Sequence, residues 1–147
     1  MIARGLASGF AGTVAMTISQ RIEMRLSGRP PSDLPAQVAE GLLGISVRGR
    51  QRELVGAAAR WINNTSSGLS RAALGAAGLR GAPAVAGTMA LYFGGEALLF
   101  RSLGFPRTAL RPVDLLHAAV WATATSAAYE LLEGRVDGDV DVAFESA

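Results

Sequence analysis

Three ionisable residues lie within long apolar stretches of the sequence, where charged side chains are uncommon: Arg71, Glu96 and His117. In a membrane, a charge near the bilayer centre costs about 2.5–3.5 kcal/mol on insertion scales, so such residues face the protein interior and find partners. Counted from a turn near Gly81, Arg71 and Glu96 differ in depth by roughly 7 Å, which an arginine side chain largely bridges. On the hairpin between the third and fourth stretches, His117 comes level with Arg101, and Glu96 lies little more than a turn deeper. A contact between His117 and Glu96 would titrate near neutral pH.

Two roles for these residues stay open. In the first, they form a polar pathway or a proton relay within the membrane. In the second, which we favour, Arg71 and Glu96 form a structural ion pair or extend to opposite interfaces, and His117 hydrogen-bonds within a packing surface. Asn63 and Asn64, in the polar run ahead of Arg71, either line a water-filled crevice or supply hydrogen bonds between helices.

The sequence offers no metal site, cofactor site or catalytic motif. One histidine and no cysteine make a zinc site improbable. Asp137, Asp139 and Asp141 resemble the beginning of a calcium loop, but Val142 stands where that loop needs glycine. The phosphate-binding, dinucleotide-binding, serine-hydrolase and zinc-protease motifs are absent. We therefore predict a protein that is not an enzyme and binds no cofactor.

The composition favours a membrane environment. Half of the 147 residues are hydrophobic and the mean hydropathy is +0.29. Only 18% are charged, against about 25% in soluble domains. The basic residues are all arginines, and they are scattered rather than arranged in a stripe with aromatic residues, so we expect no nucleic-acid partner.

Four stretches are candidate membrane spans: residues 5–20, 61–79, 82–100 and 113–132. A helix needs about 20 apolar residues to cross a hydrocarbon core about 30 Å thick. Each stretch is short or interrupted by a charge, so the prediction depends on the set of four. We predict an all-α fold, a four-transmembrane-helix bundle that forms a single domain over residues 1–133. An acidic, flexible tail follows over residues 134–147.

The arginines sort to one side of this arrangement. If all four stretches cross, ten arginines lie on one side and three on the other, with Arg71 inside a span. Cytoplasmic loops carry the excess of basic residues. This predicts a multi-pass protein of the bacterial cytoplasmic (inner) membrane with both termini outside. In the first inner loop, Asp33 and Pro35 begin a short amphipathic helix, suited either to the headgroup layer or to packing against the bundle.

The first and third stretches share a pattern. Residues 11–16 (AGTVAM) match residues 86–91 (AGTMAL), and an Arg-x-x-Gly-x-Pro segment follows each, at 25–30 and 101–106. If the unit is one helix out and one helix back, the halves are parallel repeats about an axis along the membrane normal.

Two segments carry a resemblance to a known family. They are Leu103-Gly104-Phe105-Pro106, at the exit from a helix, and His117-Ala118-Ala119-Val120-Trp121, at the start of the last stretch. Over residues 80–132 the chain resembles small bacterial inner-membrane proteins of the YagU-like type. Those proteins often have tyrosine-glycine after the histidine, and an earlier histidine that corresponds here to a position near Asn64. The resemblance implies a membrane location and no specific activity.

These patterns predict an integral membrane protein that acts as a non-catalytic accessory or structural subunit of a membrane assembly. Its partners would be the lipid bilayer and either further copies of itself or a larger complex. An alternative from another class is a small oligomeric transporter or proton-linked channel that uses Arg71, Glu96 and His117. A further alternative is a soluble all-helical domain that buries the same stretches in a core or an oligomer.

Overall fold

The chain is helical throughout the part that the structure describes. The computed structural model covers residues 1–105 and 111–145, with side chains up to residue 134. These ranges hold no strand and five helices, α1 (Ile2–Ser27), α2 (Leu34–Leu43), α3 (Gly49–Ala76), α4 (Gly81–Ser102) and α5 (Pro112–Glu145). The predicted all-α fold is confirmed.

The four long helices form a bundle in which successive helices alternate in direction. α1 packs extensively against both α3 and α5, while α4 makes smaller contacts with the same two helices, and α2 packs on α3. Gly5 of α1 faces Ala72 of α3, and Gly12 of α1 faces Thr125 of α5. The bundle therefore has an arginine-rich end, where α1 and α4 finish and α3 and α5 begin, and an opposite end near the turn between α3 and α4.

The helix bounds differ from those predicted. α3 begins at residue 49 rather than 61 and ends at Ala76 rather than 79, and α5 continues beyond 132 to Glu145. Gly78 helps to end α3, because its φ of 81° is a left-handed conformation that glycine adopts without strain. The predicted flexible tail, residues 134–147, falls largely on positions whose side chains lie outside the described part.

The predicted helix of the first loop is α2. Pro35 lies in its first turn as expected, but the side chain of Asp33 makes no capping hydrogen bond. The hydroxyl of Ser32 accepts the backbone N–H of Leu34 instead, at 3.3 Å. α2 buries Ala36 against α3, which agrees with packing against the bundle.

Contacts between glycines hold α1 against α3. A methyl group on Gly9 would collide with the backbone of Thr65 and Gly68, and one on Gly68 would collide with the backbone of Gly5 and Gly9. Only glycine allows two helix backbones to come this close, since any side chain would have to occupy the same space. The glycines of α1 are therefore packing positions.

Among the described residues, one helix is long and apolar enough to cross a membrane by length and composition, namely α4. Its most apolar window has a mean hydropathy of 1.2, and 17% of that window is buried in the bundle. By this criterion the described residues supply one span and not the four predicted. The four arginines and the polar residues of α3, for example, lower its mean hydropathy.

The two hairpins α1–α3 and α4–α5 match in sequence and structure. Thr13 and Thr88, equivalent in the predicted repeat, are both fully buried, and each hydroxyl donates to the carbonyl four residues earlier, at 2.7 Å. The return helices match as well: residues 58–66 (AARWINNTS) and 118–126 (AAVWATATS) share alanine, tryptophan, threonine and serine at the same spacing. The two hairpins run in the same order along the chain, with α2 inserted in the first, and their origin as a repeat stays a prediction.

Candidate functional site

A buried arginine joins three helices near the turn between α3 and α4. The side chain of Arg71 on α3 is 0% exposed, and its Nη2 donates to Oε1 of Glu130 on α5 at 2.9 Å. Its guanidinium carbon lies 4.5 Å from the ring centroid of Tyr129, a distance typical of cation–π contacts. We call Arg71, Tyr129 and Glu130 the Arg71 cluster.

Glu130 also holds the beginning of α4. The same Oε1 atom accepts the backbone N–H of Gly81, the first residue of α4, at 2.8 Å. A carboxylate is favourable there, because the free N–H groups of a helix give its N-terminus a partial positive charge. Next to this contact, Arg80 forms an ion pair with Glu133. One carboxylate therefore connects α3, α4 and α5.

The expected contact between Arg71 and Glu96 is wrong, because Arg71 pairs with Glu130. The prediction compared depths by counting residues from the turn, and it placed the end of α3 at residue 79, three residues too late. Since α3 ends at Ala76, Arg71 lies about 7.5 Å from that end at 1.5 Å per residue. Glu130 of α5 lies at the same depth in the bundle and contacts Arg71 there.

The histidine lies towards the arginine-rich end. His117 is 1% exposed, and its Nδ1 lies 2.9 Å from the hydroxyl of Ser19 on α1. Its Nε2 lies 3.8 Å from Oε2 of Glu23 and has no hydrogen-bond partner among the described residues. The expected contact with Glu96 is wrong, because His117 faces α1 rather than α4. We call His117, Ser19, Glu23 and Arg29 the His117 cluster.

Within the His117 cluster, the carboxylate is already paired. Arg29 donates to Oε2 of Glu23 from Nη2 at 2.8 Å and from Nε at 3.2 Å, and Ser27 donates to Oε1 at 2.9 Å. The hydrogen bonds from Arg29 and Ser27 lower the pKa of the Glu23 carboxyl, and the one between Glu23 and Arg29 raises the pKa of Arg29. The pair fastens the chain just after α1 back onto that helix.

The two predicted asparagines occupy different environments. Asn64 is buried between helices, where it accepts the hydroxyl of Tyr92 at 3.2 Å and donates to the sulfur of Met16 at 3.3 Å. Asn63 is exposed, and its backbone carbonyl accepts two serine hydroxyls of its own helix. Asn64 therefore supplies hydrogen bonds between helices, and Asn63 does not.

Glu96 belongs to neither cluster. It is partly exposed on α4 and forms no ion pair within the described part of the chain. The three ionisable residues singled out from the sequence thus lie in three separate places.

One line of buried polar groups runs along α5 between the two clusters. His117 Nε2, Trp121 Nε1 and Thr125 Oγ1 recur every fourth residue, and none has a hydrogen-bond partner in the described part of the chain. Thr125 and Trp121 face Gly12 of α1. Buried polar groups without partners are rare, which makes this line the strongest candidate for a polar path.

The sequence did not indicate the partners Tyr129, Glu130 and Glu23. Glu130 near the end of the fourth stretch was the one available signal, since a carboxylate there can pair with a basic residue at the same level. No group of three histidine, cysteine or carboxylate side chains in the described ranges is placed to hold a metal ion.

Comparisons of the chain with protein-family models, with curated proteins and with solved structures gave no match. The resemblance to YagU-like proteins stays a prediction.

Proposed function

We propose that the chain is a membrane-embedded four-helix bundle and acts as a non-catalytic accessory or structural subunit of a membrane assembly. The proposed spans are the segments 5–20, 61–79, 82–100 and 113–132, each of which lies within or largely overlaps a long helix. The proposed location is the bacterial inner membrane, with both termini outside.

The distribution of residue sizes between interior and surface carries this proposal. The buried positions are mainly glycine, alanine, serine and threonine together with a few aromatic or charged groups, whereas large aliphatic side chains face outwards. Leu26 is 84% exposed, Leu98 71% and Ile62 70%. In water this arrangement forfeits about 25 cal/mol for each Å² of apolar surface left unburied.

In lipid, exposed aliphatic side chains carry no such cost. Hydrocarbon tails solvate leucine and isoleucine as well as a protein core does, so helices associate there through close packing of small residues. The contact between Gly9 and Gly68 has this character. Soluble monomers, by contrast, rarely expose large contiguous apolar patches.

The buried hydroxyls support the same environment. Ser8, Thr13 and Thr88 each donate to a carbonyl three or four residues earlier in their own helix, at 2.7–2.9 Å. A hydroxyl satisfied in this way needs no water, which suits a helix in hydrocarbon.

A structural role fits the polar clusters better than catalysis does. The Arg71 cluster connects three helices, and the His117 cluster connects α1, its following loop and α5. Each of these side chains has a partner that fixes the position of a helix. No arrangement of a nucleophile with a base is needed to explain them.

Membrane extraction tests the proposal. Cells that express the full chain are fractionated, and the membranes are washed with sodium carbonate at high pH. The chain should stay in the pellet and dissolve only with detergent. Release by carbonate, with a monodisperse chain in plain buffer, would support the soluble helical domain instead. A reporter fused to the C-terminus should give a signal from outside the cytoplasm, and a cytoplasmic signal would contradict the topology.

The line of polar groups along α5 favours a second candidate, a small oligomeric proton-linked transporter. Its test is His117→Ala, with Glu96→Gln as the variant that removes the other isolated ionisable group. Proton flux into vesicles containing the purified chain should collapse in His117→Ala under this second candidate. Under the structural role there should be no flux above that of empty vesicles, with or without either substitution.

A further inference from the structure

We infer that an arginine-lined groove at the end of α1 binds the phosphate headgroup of an anionic lipid. The inference rests on the membrane location proposed above. The groove is open and has a volume of about 360 Å³. Its walls come from the last turns of α1 and from the loop that follows, and they are formed by Arg21, Met24, Arg25, Arg29 and Pro31.

Two of the three arginines in the groove lack counter-ions. Arg21 and Arg25 lie one turn apart on α1, and neither belongs to an ion pair within the described part of the chain. Like charges at this spacing repel each other. A bound phosphate would remove that repulsion and accept hydrogen bonds from both guanidinium groups.

The nearest carboxylate does not neutralise the groove. Glu23 lies between Arg21 and Arg25 in sequence, but its two oxygens already accept hydrogen bonds from Arg29 and Ser27. The Glu23–Arg29 contact instead holds Arg29 at the wall of the groove. The groove therefore keeps a positive field despite the presence of an acid.

A further arginine from α3 adds to this field. Burial lowers the pKa of Arg60, and the positive charge of Arg21 lowers it further. Basic grooves of this kind at the cytoplasmic end of membrane helices suit anionic headgroups.

An apolar strip beside the groove identifies the ligand as an amphiphile. Ile18, Ile22 and Leu26 are exposed and recur every fourth residue on α1. At 100° per residue this strip lies next to Arg25 around the helix, and it leads from the groove towards the middle of the bundle. A lipid with its phosphate at the arginines can lay an acyl chain along these side chains, which free phosphate cannot use.

Lipid retention by the full chain tests the inference. The chain is extracted in mild detergent and mixed with phosphatidylglycerol or phosphatidylcholine, and bound lipid is counted by native mass spectrometry. Wild type should retain phosphatidylglycerol preferentially. The double variant R21Q/R25Q should weaken that retention by about 20- to 30-fold, from the usual contribution of a basic residue near an anionic surface. The matched control R48Q/R50Q removes two exposed arginines at the same end of the bundle, outside the groove, and should change retention by less than about threefold.

Several results would overturn the inference. These are equal retention of the two lipids by wild type, equal losses in the two double variants, and displacement of the lipid by inorganic phosphate at the same concentration. If R21Q/R25Q does not fold, a salt titration of the wild type tests the inference instead. Retention of phosphatidylglycerol should fall as sodium chloride is raised, because salt screens the contact. Retention that does not change with salt would refute the inference. Failure of the membrane proposal would appear separately, in the carbonate extraction.

Discussion

Helices α1 and α4 begin from the same motif but are attached in different ways. In α1, six positions are buried, and its glycines contact the backbones of α3 and α5. In α4, Ala84, Thr88 and Tyr92 form a single buried row, and a side chain added at Gly94 would meet open space. α1 therefore packs closely against its neighbouring helices along two faces, whereas α4 does so along one.

This difference shows that two hairpins of similar sequence can be held in one bundle by different contacts. Both helices keep a buried threonine that is bonded within its own helix. α4 lacks a second closely packed face, but polar contacts attach its beginning to α5. Glu130 accepts the N–H of Gly81, and Glu133 pairs with Arg80. Its C-terminal half includes Leu98, whose side chain is exposed in the bundle.

The largest effect should come from removing the attachment of α4. Glu130→Gln keeps the shape of the side chain but leaves the buried Arg71 without a counter-ion. Breaking a buried ion pair costs about 3–5 kcal/mol. Because Glu130 is 37% exposed, we expect the lower end of that range for the loss in free energy of unfolding, measured by denaturation in detergent.

Glu133→Gln is the matched control for Glu130→Gln. It removes the partner of Arg80, whose side chain is 61% exposed, and exposed ion pairs contribute about 0–1 kcal/mol. Equal losses in the two variants would mean that Glu130 is no special attachment of α4.

A smaller effect should separate the packing of the two helices. Gly9→Leu in α1 would force α1 and α3 apart, and overpacking of this kind typically costs about 1–3 kcal/mol. Gly94→Leu in α4 should leave the melting temperature unchanged or raise it, because glycine weakens a helix interior by about 1 kcal/mol relative to alanine. Thermal unfolding followed by circular dichroism compares the two. A lower melting temperature for Gly94→Leu than for Gly9→Leu would reverse the comparison.

The smallest effect concerns the ends of the helices. At the end of α1, Glu23 forms an ion pair with Arg29 of the following loop. At the end of α4, the positions that correspond to them in the sequence match are Leu99 and Phe105, which cannot form such a pair. Since the folded pKa of Glu23 is lowered, its contribution to stability is present above the unfolded pKa. That contribution is lost as the pH falls through the folded value.

The wild type should therefore be more stable than Glu23→Gln above the ordinary carboxyl range. This difference in the free energy of unfolding should shrink as the pH falls below that range, and the two acid titrations should run parallel at the lowest pH. Asp114 and His117 are the titratable neighbours in this region, and both are unchanged in the variant. Identical acid profiles for the two proteins would show that the pair adds nothing to stability.

Sequence periodicity and apolar length predicted the helices well, because both depend on neighbours along the chain. The side-chain partners on neighbouring helices were harder to predict from the sequence. Arg71 was expected beside Glu96 by counting from the turn, an estimate that fails when a helix ends three residues early. Glu130 lies 59 residues from Arg71, and only the packing of α5 beside α3 brings them together.

Mean hydropathy does not report which side of a helix a residue faces. An average over a window adds Ser8, Thr13 and Arg71 to the leucines around them, although these polar groups face inwards and the leucines face outwards. The orientation of each residue is decided by the neighbouring helices. It therefore becomes visible only when all the helices are in place.

The two groups that donate hydrogen bonds to Glu130 are synthesised well before Glu130 itself. Arg71 and Gly81 leave the ribosome 59 and 49 residues before Glu130. During that interval neither the guanidinium nor the first N–H of α4 can form its contact with Glu130. A nascent chain that stops short of the last helix should therefore be a substrate for quality-control proteases, and α5 is the segment whose arrival completes the protein.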